Sequence, residues 1–157
     1  MGGCDRRRSR GMPFRTYLAV LAVTGLSLST AARSDDSVLR GFWETKDKAT
    51  IEIAPCDSGL CGTLVDFILP PGITRERAID RNNPDPAMRA RSLYGVHVLE
   101  DITPTAPQTW EAEIYLPKNG ILTDATITVE TPDTIKLTGC VRVAFKICQD
   151  EIWTRKN

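Results

Sequence analysis

The 157-residue chain has a single histidine, His97, and aromatic residues make up only 6% of it. One histidine in the strand-like context "YGVHVLED" is too little for a histidine-built metal centre, and such histidines usually pack or hydrogen-bond. There is no G-x-S-x-G elbow for a serine hydrolase, no C-x-x-C pair for a zinc site and no glycine-rich loop to cradle a phosphate. No apolar run reaches the roughly 20 residues that a membrane-spanning helix needs. The adjacent carboxylates Glu100 with Asp101, Glu111 with Glu113, and Asp150 with Glu151 read as solvated turns or strand faces, not as an acid–base pair. Positive charge is not in excess either, since 20 Lys and Arg balance 20 Asp and Glu.

What is present begins with an arginine cluster (Arg6, Arg7, Arg8, Arg10, Arg15), an apolar stretch over 17–28 and then small residues. That order predicts a secretory signal peptide over 1–32, with Thr30 and Ala32 at the positions before cleavage, and a single mature domain over 33–157. The mature chain carries 15 Lys and Arg against 19 Asp and Glu, a net charge of −4 that argues against nucleic acid as a partner. It is expected in the periplasm or outside the cell, as a monomer without a transmembrane segment. Cys4 leaves with the leader. The even count that remains, Cys56, Cys61, Cys140 and Cys148, favours disulfides in an exported chain, and three pairings are open. Local pairing is preferred, because Cys56 and Cys61 flank the turn-rich "DSGL" and Cys140 and Cys148 flank "VRVAFKI".

From residue 40 onward apolar and polar residues alternate with period two, bounded by Gly, Pro and Asp clusters. Eight strands are predicted, near 40–46, 49–54, 61–68, 94–101, 109–116, 125–130, 134–140 and 146–154. "TITVE" and "TIKLTG" joined by "TPD" form the clearest hairpin. "PKNGIL" is another, with Asn119 and Gly120 expected to adopt positive φ. The stretch between Pro70 and Tyr94 has no such period and reads as an insertion, in which Asp85 caps a short helix that begins at Pro86. Eight consecutive antiparallel strands point to an all-β up-and-down barrel, with a β-sandwich as the alternative.

The segments "GFW" at 41–43, "LCG" at 60–62, "DRNNPDPAMRARSLYGVHVL" at 80–99, "IYLPKNG" at 114–120 and "WTR" at 153–155 resemble the uncharacterised bacterial exported family catalogued as domain of unknown function 2147. The resemblance covers nearly the whole mature chain and implies a small secreted β-domain. The chain departs from the family's usual glycines and lysine–tyrosine around the "IYLPKNG" hairpin, with "EAE" before it and "ILTD" after it. Gly41, Trp43 and Arg155 also fit the layout of lipocalin-like barrels, in which a basic side chain from the last strand covers the tryptophan of the first. That resemblance implies a packing cap in which the Arg155 guanidinium stacks on the Trp43 ring.

The oxygen-rich stretch "DRNNPDPAMRAR" meets the first and third positions of a calcium loop with Asp80 and Asn82, but Pro84, Asp85 and Arg91 stand at the fifth, sixth and twelfth. It therefore fails as an EF-hand, and a looser oxygen cage from Asp80, Asn82, Asn83 and Asp85 is the remaining metal option. The leading alternative is a braced corner. Arg89 and Arg91 lie two apart and do not share a helix face, so one reaches in to Asp80 or the loop backbone while the other meets solvent or an anion. The residues offered for ligand contact are Asp80, Asn82, Asn83, Arg89 and Arg91 on the insertion, with Trp43, Phe67, Trp110 and Tyr115 lining an apolar pocket. These support a non-enzymatic exported module, without a cofactor or metal, that binds a small apolar molecule or cell-envelope component. The competing reading is an enzyme acting at a cleft near 80–97, which requires Asp80, Arg89, Arg91 and His97 to converge.

Overall fold

The structure, a computed structural model, describes residues 35–142 and 144–157; the signal peptide expected over 1–32 lies outside them. Eight antiparallel strands close into one barrel in chain order: β1 (Gly41–Glu44), β2 (Thr50–Cys56), β3 (Gly59–Asp66), β4 (His97–Ala106), β5 (Thr109–Leu116), β6 (Ile121–Thr131), β7 (Thr134–Arg142) and β8 (Lys146–Lys156). β8 returns to β1, with Trp43 opposite Arg155. Closure leaves no unpaired edge strand, so each strand's backbone is satisfied by its neighbours.

The alternation seen in the sequence is the barrel's inside and outside. On β5 and β6, Trp110 sits opposite Ile127 and Ala112 opposite Ala125, and all four are buried. Leu99 of β4 packs directly against Gly62 of β3, where an added Cβ would stand 2.9 Å from the Leu99 Cβ. The "LCG" glycine is therefore a gap that a leucine from the next strand fills.

One end is plugged. Asp35 caps a 3-10 turn over Asp36–Val38 by accepting from the Ser37 N–H at 3.0 Å, and Leu39 behind it is fully buried. The Trp43 indole donates to the Leu39 carbonyl at 2.7 Å and the Trp110 indole to Asp36 Oδ1 at 2.7 Å. The Arg155 guanidinium lies 4.2 Å above the Trp43 ring and donates to the carbonyls of Arg40, Val38 and Pro132 at 2.8, 2.7 and 3.0 Å. The expected cap is present. It also explains Gly41, whose φ of +124° brings an added Cβ within 2.9 Å of Arg155 Nη1.

Two local expectations change. The helix expected from Pro86 is a single 3-10 turn over Pro86–Met88; Asp85 does cap it, accepting from the Ala87 N–H at 2.9 Å, but the chain then turns back to pair Ile79 with Ser92. At the β5–β6 turn only Gly120 takes positive φ, at +68°, while Asn119 uses its side-chain oxygen to accept from the Ile121 N–H. The disulfides pair locally, Cys56 with Cys61 and Cys140 with Cys148.

Candidate functional site

The alternating topology puts the connections 45–49, 67–96 and 117–120, with residues 144–145, together at the end opposite the plug. There the barrel opens into a cavity of about 920 Å³ whose apolar wall includes Ile51, Leu64, Phe67, Val98, Ile114 and Trp153. Ala49, Ile68 and Leu93 extend that wall toward the rim. Polar groups ring the rim, with Asp47, Arg77, Arg81, Asn82 and Lys118 contributed by three different connections. Gln149 and Glu151 come from β8, and Glu151 Oε1 accepts from the Lys46 N–H at 3.0 Å. The Trp153 indole N–H is buried without a hydrogen-bond partner, alone in this among the described residues. Such an orphan donor is costly unless an acceptor reaches it.

The connection 67–96 forms one flank of this mouth, and the residues singled out in it hold it in place. The Asp80 carboxylate is fully buried and accepts from the Tyr115 hydroxyl at 2.5 Å, Asn83 Nδ2 at 2.8 Å, and Arg91 Nε and Nη2, both at 2.9 Å. The same corner is closed by backbone bonds from the Asp80 N–H to the Arg91 carbonyl and from the Leu93 N–H to the Ala78 carbonyl. Asn83 Oδ1 accepts from the Asp85 N–H, and Arg89 Nε donates to the Asn83 carbonyl at 2.8 Å. Asn82 Nδ2 reaches across to the Lys118 carbonyl at 2.8 Å, tying the insertion to the β5–β6 turn. The turn approaches so closely that a Cβ on Gly120 would collide with the Asn82 carbonyl oxygen. Burial, reinforced by the Asp80 carboxylate beside it, pushes the Tyr115 hydroxyl up to about 12.

These contacts decide between the readings of the oxygen-rich loop. Asp80, Asn82, Asn83 and Asp85 each spend side-chain atoms on protein partners rather than facing one point, so they make a corner, not an oxygen cage. Arg89 and Arg91 both brace that corner, whereas the sequence alone assigns one of them to solvent or an anion. Tyr115 and Phe67 line the cavity as expected, whereas Trp43 and Trp110 do not. Both are fully buried in the plug, because aromatic character alone does not tell which end of a barrel a residue occupies. Trp153 is the tryptophan of the cavity wall, a residue that the "WTR" motif contained but that nothing in its sequence context set apart. His97 is exposed on β4, 3.4 Å from Glu100, and shares with Arg91 a shallow outer depression of about 220 Å³.

The chain matches, over residues 41–155, the family described as an uncharacterized protein conserved in bacteria, domain of unknown function 2147. The chain belongs to this family. Among solved structures it is similar to protein HP1028 from Helicobacter pylori, described as belonging to the lipocalin family. That match has a TM-score of 0.64 at 17% identity and covers 76% of this chain and 83% of the other. No curated protein is a significant match. The likeness is one of fold. For this member of domain of unknown function 2147, the motif segments now have physical roles: "NPDP" and "RAR" build the corner, "PKNG" receives it, and "LCG" admits Leu99. The described residues contain no helix long and apolar enough to cross a membrane.

Proposed function

We propose that this chain is an exported, non-enzymatic binding protein whose barrel holds a small, predominantly apolar molecule or the apolar part of a cell-envelope component. The observation that carries this reading is the cavity of about 920 Å³. That volume falls in the range of roughly 300–1,000 Å³ typical of small-molecule sites. Its wall is mostly aliphatic and aromatic, so the ligand is expected to present a predominantly apolar body. The mouth is held ready by the Asp80 corner, which reduces the ordering that binding would otherwise require. Export is supported by the leader-like N-terminus and by two local disulfides, which persist in oxidising compartments.

The test is titration of the purified mature chain with N-phenyl-1-naphthylamine, an uncharged apolar fluorophore. Saturable binding with change in the Trp153 emission is expected, because Trp153 is the tryptophan that lines the cavity. Unsaturable or absent binding by a chain that unfolds cooperatively would remove this reading.

A further inference from the structure

Charge and apolar exposure are both distributed unevenly along the barrel axis. The four connections at the open end hold eight Lys and Arg against four Asp and Glu, whereas the rest of residues 35–157 holds six against fifteen. The chain is thus acidic as a whole and basic at its mouth. Some of those cations are engaged: Arg91 with Asp80, Arg89 with a loop carbonyl, Lys48 with Glu44 at 2.6 Å, and Lys118 loosely with Asp47 at 3.9 Å. Arg77 and Arg81, both exposed at the cavity rim, hold no ion pair or side-chain hydrogen bond among the described residues.

The same end carries the exposed apolar groups. Among the described residues, seven of the nine exposed large apolar side chains lie in or beside the open-end connections. Ile68 is 71% exposed, Phe145 67% and Leu122 53%. Acids are in the minority at this end, with Glu100 and Glu113 sharing a depression with Leu122, and they collect on the concave outer face over β4 to β6, which presents Asp101, Glu111, Glu113 and Asp124. Apolar tips among unpaired cations, around a cavity open to that side and backed by an acidic body, have the complementarity of an interface with anionic headgroups.

We infer that the open end docks on an anionic lipid surface, with Ile68, Leu122 and Phe145 entering the headgroup region and Arg77, Arg81 and Lys118 meeting lipid phosphates. Docking in this orientation turns the mouth toward the bilayer and keeps the acidic faces in water. A ligand passes between lipid and cavity without crossing solvent. Only that last consequence rests on the cavity reading; the docking itself does not.

Flotation of the mature chain with vesicles of phosphatidylglycerol and phosphatidylethanolamine, and separately with vesicles of phosphatidylcholine alone, tests this. The chain is expected to float with the anionic vesicles at low salt and not with the neutral ones. Binding should weaken at least tenfold near 0.5 M salt, where screening shortens to about 4 Å. Arg81→Glu with Lys118→Glu should abolish flotation, and Leu122→Ser with Phe145→Ser should weaken it strongly while leaving the thermal midpoint in place. The salt and lipid comparisons use the unaltered chain and stay decisive if a variant fails to fold. A chain that takes up the apolar fluorophore yet never floats with anionic vesicles overturns the docking inference alone, and would leave the apolar rim for a protein partner. Equal flotation with both kinds of vesicle would overturn it too.

Discussion

Replacing Arg91 with alanine isolates the contact that most defines the mouth. The substitution removes two charge-assisted hydrogen bonds from a carboxylate whose side chain is 0% exposed, leaving Asp80 with the Tyr115 hydroxyl and the Asn83 amide. Breaking a fully buried pair in this way destabilises by about 3–5 kcal/mol. Arg91 is itself 38% exposed, so water can follow into the space it vacates and the expected loss is nearer 2–3 kcal/mol. For a domain of this size that lowers the thermal midpoint by roughly 10 °C. Arg89→Ala is the matched control. It loses a single bond to the Asn83 carbonyl at the surface, about 1 kcal/mol. Urea unfolding followed by circular dichroism compares the two at equal slope. Losses near zero for both would refute the braced corner, and a larger loss for Arg89→Ala would show that the corner is anchored on the loop carbonyl rather than on Asp80.

Gly120→Ala should destabilise by more than about 2 kcal/mol, since a left-handed φ already disfavours a side chain by about 1–2 kcal/mol and the new Cβ meets the Asn82 carbonyl; calorimetry of the mutant checks it. The Tyr115 hydroxyl, raised to about 12 in the fold against about 10 in an unfolded chain, keeps a proton that the unfolded state releases. Its contribution is therefore complete below pH 10 and declines from there to pH 12, and Tyr115→Phe should flatten stability across that window in pH-dependent urea titrations. Arg155→Ala removes the Trp43 cap and leaves three carbonyls without their donor, an expected loss of about 2–3 kcal/mol, read as an earlier urea midpoint. Reducing both disulfides should lower stability by roughly 2 kcal/mol for each, because loops of five and eight residues restrict the unfolded chain only modestly.

The barrel was legible because period two is a local property that closure merely reuses. All eight expected strands are present in order, β5 spans Thr109–Leu116 as expected, and β6 starts four residues earlier than its expected start at 125. β4 differs most. The strand expected to end at Asp101 instead runs to Ala106, with register shifts between Glu100 and Thr103 and between Pro104 and Ala106 and with Asp101 at φ +53°. At its other end the strand begins at His97 and not at Tyr94, since the Gly95 N–H and the Val96 carbonyl are bonded to Leu64 as part of the returning insertion.

The corner was half legible. Asp80, Arg89 and Arg91 lie close in sequence, so a brace among them could be argued from turn chemistry. The Tyr115 hydroxyl and the Gly120 approach come from a hairpin more than thirty residues away, and only the closed barrel brings them there. The cavity was the least legible feature. Whether inward side chains fill a barrel or line a space depends on which end each occupies, so the sequence does not distinguish Trp43 and Trp110 in the plug from Trp153 on the cavity wall.

Native mass spectrometry of the chain recovered from the cell envelope, with noncovalent ligands retained, tests the central claim most directly. The account predicts a one-to-one adduct of a small molecule that survives purification and is lost in Val98→Trp, where an indole would occupy the cavity wall. A folded chain that carries only its own mass, and gains no adduct when alkyl amphiphiles are added, would contradict it.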